Sequence, residues 1–270
     1  MAFFMGQYIH SAFNRHHCTE KSFSERQTIL TLRVNHRSVT NPLKSKLQTP
    51  MVIVNFKTYL ESTGRKAVEL AKKAEKVSKE TDTQIVVVPQ FADIAAVAKA
   101  VEIPVFAQHI DPIKPGSSTG YVLAESVKEA GAVGTLINHS ERQIKLTDID
   151  AVIRLSNEKD LVSCVCTSNP PISAAVAYLN PDIISIEPPE LIGTGVAVSK
   201  AQPQAVTKTI QLVRKVNSQA VILCGAGISH GEDVAVALKL KTQGVLVASA
   251  IVKAKDPYSI ILEFANATKQ

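Results

Sequence analysis

From Met51 to the C-terminus the chain alternates between two kinds of segment, and this alternation limits its fold more than any other feature. Eight short, mostly β-branched runs recur between turn residues: MVIVNF, QIVVVP, PVFAQHI, GTLINHS, LVSCVC, DIISIEP, AVILCGAG and GVLVAS. Between several of them lie helical patterns. In residues 64–80, Ala67, Val68, Ala71, Ala74 and Val77 mark one face while lysines and glutamates fill the other. Further patterns span 119–130, 148–158, 203–216 and 232–240, the last opened by a possible capping box of Ser229 and Glu232. Apolar strands alternating with amphipathic helices require a parallel sheet covered by helices. Eight units in some 220 residues favour a closed (β/α)8 barrel over an open doubly wound sheet. The catalytic domain is expected to span 49–270.

The first 48 residues follow no such period. They hold four of the seven histidines and four of the eight phenylalanines. Residues 1–50 also carry seven basic side chains against two acidic ones, a net of +5, so the remainder accounts for only +1 of the total +6. A nucleic-acid partner is therefore not expected from the folded part. Histidines and arginines interrupt any secretory apolar core, and Glu20 and Glu25 weaken a transit-peptide reading. The segment is expected to be an extension outside the fold, either an unfolded tail or upstream sequence carried in by an early start. No apolar stretch is long enough for a membrane span. The four cysteines, Cys18, Cys164, Cys166 and Cys224, form no CxxC pair and fit buried free thiols better than a disulfide or metal framework.

In such a barrel, chemistry sits at the C-terminal ends of the strands. Asn55 and Lys57 follow the first run, Gln108 and His109 the third, Asn138, His139 and Glu141 the fourth, and Glu187 the sixth. The last two runs end in small residues that let backbone N–H groups approach an anion. Taken singly, each has a plain structural explanation: a surface lysine, a satisfied histidine, a helix-opening ion pair, a tight turn. A carboxylate, a histidine, a lysine, an asparagine and a small-residue cup converging on one rim point instead to a catalytic site.

Four motifs carry a specific resemblance: NFK at Asn55–Lys57, NHSE at Asn138–Glu141, EPPELIGTG at Glu187–Gly195 and CGAGIS at Cys224–Ser229. Their order and strand-end placement, from about Pro50 onward, resemble the triosephosphate isomerases in their archaeal form. Phe56, Pro189, Glu190, Ala226–Gly227 and Ala248–Ser249 depart from the bacterial and eukaryotic pattern and agree with the archaeal one.

The resemblance implies an aldose–ketose isomerase acting on triose phosphates in glycolysis and gluconeogenesis, cytoplasmic, needing no cofactor or metal and no membrane partner. It implies a homo-oligomer, with a tetramer favoured over a dimer. Glu187 would be the base, placed where a loop can shield it from water. His139 would be a neutral electrophile, a feature already known for this family. Lys57 would stabilise the developing oxyanion with Asn55 orienting it, and Glu141 would support the site. Backbone donors for the phosphate would come from Ile192, Gly193, Gly227, Ala248 and Ser249, and Pro188–Thr194 would form a lid. Two other classes share the strand count, a Schiff-base aldolase or synthase and a non-catalytic barrel. The former wants a lysine deep in the barrel, whereas Lys57 follows the first strand and the sixth ends in Glu187.

Overall fold

The computed structural model describes residues 48–188, 191 and 194–269. Eight strands form: β1 Met51–Asn55, β2 Gln84–Val88, β3 Phe106–Ala107, β4 Gly134–Ile137, β5 Val162–Thr167, β6 Ile183–Ile186, β7 Val221–Gly225 and β8 Gly244–Val247. All paired neighbours run parallel, in the order β2-β1-β8-β7-β6-β5-β4-β3. A parallel bridge between Val87 and Val105 joins the two ends, with Val87 N–H donating to the Pro104 carbonyl at 3.1 Å. The sheet thus comes round into the expected (β/α)8 barrel.

Helices follow in chain order: α1 Arg65–Thr81, α2 Ile94–Ala100, α3 Ala124–Glu129, α4 Leu146–Glu158, α5 Pro170–Tyr178, α6 Val198–Ala201, α7 Pro203–Val216, α8 Gly231–Lys239, α9 Ser249–Val252 and α10 Pro257–Ala267. Of these, α2, α5, α6, α9 and α10 were not among the helical patterns read from the sequence. The pattern over 119–130 yields only the short α3. Its first half runs alongside residue 111 instead: Asp111 N–H donates to the Val122 carbonyl at 2.9 Å, and Val122 N–H donates to the Asp111 carboxylate at 2.7 Å. A backbone partner thereby wins over the apolar period.

Alternate strand residues serve two cores. Val52, Val54, Ile184, Ile222 and Cys224 face the helices, whereas Met51, Ile53, Phe106, Leu136, Cys164, Cys166, Ile183 and Leu223 fill the barrel interior. The two-residue period then fixes what crowns the interior. Counting outward from Ile183 through Ser185, the next inward position is Glu187; from Leu223 it is Gly225.

Three of the expected buried thiols, Cys164, Cys166 and Cys224, are buried and free, while Cys18 lies outside the described residues. Burial pushes the Cys224 thiol up to about 12 and the other two well above their ordinary range, so all three pack as small apolar groups.

Candidate active site

Lys57, His139, Glu187, Gly227, Ala248 and Ser249 line one cavity of about 670 Å³ at the C-terminal ends of the strands. Asn55 lies beneath it, almost fully buried, and its Oδ1 accepts the Lys57 N–H at 2.9 Å. That bond holds Lys57 in a left-handed conformation, φ 49°, uncommon for a non-glycine residue. Gln108 braces the same turn by donating to the Lys57 carbonyl at 2.8 Å. The lysine reaches across to β4, where its Nζ meets Glu141 Oε1 at 2.7 Å. Glu141 sits at the rim with 56% of its side chain exposed, so it orients the lysine without closing the cavity.

Asn138 is the second left-handed residue, φ 59°, and its amide ties the turn down on both sides. Its Nδ2 donates to the Cys166 carbonyl at 3.0 Å and its Oδ1 accepts the Ile144 N–H at 3.0 Å. The turn delivers His139, whose Nδ1 accepts the Glu141 N–H at 3.2 Å. A nitrogen that accepts such a bond carries no proton, so this hydrogen-bond pattern assigns the ring proton to Nε2. The Glu141 carboxylate lies 3.6 Å from the same Nδ1, too far for a good hydrogen bond, and its charge is directed to Lys57.

His139 Nε2 stands 3.3 Å from Glu187 Oε2. Glu187 is 3% exposed, and among the described residues its Oε1 has no hydrogen-bond partner. Its side chain lies over Gly225 of β7: a Cβ there would stand 2.4 Å from Glu187 Cγ and 3.0 Å from Oε1. Only a residue without a side chain leaves the carboxylate this path. Ala226 and Gly227 follow, both left-handed at φ 69° and 72°. A Cβ on Gly227 would stand 1.8 Å from the Val196 carbonyl oxygen, so the turn lies hard against the segment that follows Thr194.

The expected residues are therefore brought together with these exceptions. Ile192 and Gly193 lie outside the described residues. His109 takes no part in lining the cavity: its Nε2 pairs with Asp111 Oδ1 at 2.9 Å, within a group completed by Arg142. The capping box is shifted by one residue, with His230 as N-cap and Asp233 as its acidic partner, because Asp233 accepts both the Ser229 and His230 N–H groups while Glu232 turns to Lys200. Reasoning from sequence missed Gly225, Ser229 and His230 as cavity or support residues, although Gly225 and Ser229 stand within the CGAGIS motif. Among the described residues, no group of three or more His, Cys, Asp or Glu side chains is arranged to hold a metal, and no helix is long and apolar enough to cross a membrane.

The His109–Asp111 pair gives the molecule an acid sensitivity. Burial is the main cause holding His109 below its ordinary value. Burial pushes Asp111 up, but the Val122 N–H, His109 and Arg142 outweigh it and hold the carboxyl below 3.8. In both cases the unfolded chain binds more protons, so stability falls as pH drops, below about 6.5 for His109 and below about 3.8 for Asp111. Thermal unfolding between pH 7 and 5 should show this fall, and His109→Asn, which keeps a donor for Asp111, should make it shallower. An equal slope in the two proteins would contradict the assignment.

The pattern of the family described as triosephosphate isomerase matches residues 50–266. The chain is 53% identical over 219 residues to a triosephosphate isomerase of Methanobacterium bryantii, covering 81% of this chain and 97% of that protein. The chain belongs to the triosephosphate isomerase family. Its likeness to triosephosphate isomerases of Methanocaldococcus jannaschii, 53% over 213 residues, and Methanobrevibacter smithii, 50% over 220, bears out the expected archaeal form. These matches cover 97% and 99% of the two relatives and 79% and 82% of this chain.

Proposed function

We propose that the chain interconverts glyceraldehyde 3-phosphate and dihydroxyacetone phosphate by moving one proton between adjacent carbons through an enediolate. The observation that carries the reading is the 3.3 Å approach of His139 Nε2 to Glu187 Oε2 in a cavity shared with Lys57. Glu187 takes the proton from carbon, and the electron pair moves onto the carbonyl oxygen. His139, through Nε2–H, polarises that oxygen, and the Lys57 ammonium, steadied by Glu141 and Asn55, offsets its developing charge. The proton of the adjacent hydroxyl then passes to that oxygen, with His139 standing between the two, which leaves the charge on the neighbouring oxygen; as that oxygen becomes the new carbonyl, Glu187 returns its proton to the neighbouring carbon. Backbone donors from Gly227, Ala248 and Ser249, joined by Ile192 and Gly193, hold the phosphate, and exclusion of water protects the enediolate from losing it.

A coupled assay of the full chain with glyceraldehyde 3-phosphate tests this; folded protein without turnover would rule the reaction out. A role in glycolysis and gluconeogenesis in the cytoplasm belongs to the same proposal. So does residues 1–48 being an extension outside the barrel, which the family match beginning at residue 50 supports. Assembly into a homo-oligomer, a tetramer before a dimer, belongs to the same proposal. A monomer in sedimentation at assay concentration would remove that part.

A further inference from the structure

One buried charge beside the cavity has no part in proton transfer. Asp233, in the first turn of α8, has only 5% of its side chain exposed. Its Oδ2 accepts the Ser229 N–H at 2.9 Å and the His230 N–H at 3.0 Å, and both of those residues line the cavity next to Gly227. The turn that faces the substrate is thus braced by a carboxylate. Standing alone, that carboxylate would repel a phosphate dianion entering the same cavity, and at a buried site solvent and salt screen such repulsion weakly.

Lys200 resolves the conflict. Its Nζ lies 2.9 Å from Asp233 Oδ1 and 2.7 Å from Glu232 Oε2. Burial pushes the Asp233 carboxyl up, but hydrogen bonds from Lys200 and from the Ser229 and His230 N–H groups outweigh it and hold the group below its ordinary value. The carboxylate therefore stays ionised and needs a counter-charge. The lysine belongs to α6, which is itself joined to the same turn: Val198 N–H donates to the Ala226 carbonyl at 3.3 Å and Ser199 Oγ to the Asp233 carbonyl at 3.3 Å.

We propose that Lys200 is a positioning and specificity residue for phosphorylated substrate: it offsets the charge of the buried Asp233, while Glu232, its other partner, is exposed and screened by solvent, so that Asp233 can brace the Ser229–His230 turn with less repulsion of the phosphate. The inference rests on the isomerase reading above and concerns its phosphate subsite alone.

The test compares full-length wild type, Lys200→Ala and Lys200→Ala/Asp233→Asn, with glyceraldehyde 3-phosphate, with unphosphorylated glyceraldehyde and with inorganic phosphate as inhibitor. In Lys200→Ala, KM for the phosphorylated substrate and the inhibition constant of phosphate should each rise about fivefold, with kcat changed by less than about twofold. The loss in kcat/KM should be larger with glyceraldehyde 3-phosphate than with glyceraldehyde. Asparagine keeps an oxygen for both N–H groups while shedding the charge, so the double variant should recover wild-type KM. An active wild type whose Lys200→Ala variant keeps its KM and phosphate inhibition would overturn the proposal, as would equal losses with both substrates or failure of the double variant to recover. A wild type inactive with glyceraldehyde 3-phosphate would overturn the isomerase reading instead.

Discussion

Replacing Glu187 with glutamine is expected to lower kcat by about 10³-fold or more while leaving KM nearly unchanged. Glutamine has the shape of glutamate, so it can still lie over Gly225 and beside His139, and the barrel should fold as before. What disappears is the acceptor for the substrate's proton, which no neighbouring group replaces: Cys166, the nearest ionisable side chain on β5, is held in its thiol form by burial and by the Glu187 charge. KM should survive because the proposed phosphate donors at Gly227, Ala248 and Ser249 are left intact. Steady-state kinetics with either triose phosphate measures both constants, and a variant retaining a tenth of wild-type kcat would remove Glu187 as the base.

Gly225→Ala should lower kcat by about 10²-fold without touching a reacting atom. Its Cβ would stand 2.4 Å from Glu187 Cγ and 2.9 Å from Cδ, distances that real contacts do not reach, so the carboxylate must leave its place. The backbone at Gly225 is an ordinary part of β7, and alanine there should cost little in β-structure, with circular dichroism close to wild type. The decisive comparison is a double-mutant cycle. If Gly225 acts only by placing Glu187, then Gly225→Ala should add little further loss in a Glu187→Gln background. Full additivity would mean that the alanine damages the cavity by another route.

Some of the site was legible because its residues are chemically conspicuous at strand ends. Glu187 stops a β-branched strand before two prolines, and His139 and Lys57 each follow an asparagine that fixes a turn. Other parts were silent. Gly225 looks like one more small residue in the anion cup; its importance comes from β7 lying beside β6, which is a matter of pairing across the sheet. Asp233 and Glu232 are adjacent acids with nothing in their local sequence to say which one caps α8. Asp233 takes the cap by accepting the Ser229 and His230 N–H groups, while Lys200, arriving from a segment some 30 residues earlier, pairs with both acids. The helix pattern at 119–130 failed for the same reason, since a periodicity cannot register that the Asp111 carboxylate will claim the Val122 N–H.

The sequence by itself determined the alternation of strands and helices, the closure of eight units into a barrel, and the inward parity that points Glu187 at the cavity. The alternation and the parity follow from local periodicities of about two and 3.6 residues, which act over a few positions, and the closure follows from the count of eight such units. Tertiary structure alone decided which histidines enter the cavity, which nitrogen of His139 carries the proton, and which carboxylate braces the turn beside Gly227. Those outcomes depend on distances between groups 2 to 84 residues apart in sequence, from the Glu141 N–H on His139 to the Lys57–Glu141 pair. Hydrogen bonds and ion pairs act over only a few ångströms, so the long-range pairings among these exist only once the barrel has closed and brought its strand ends together.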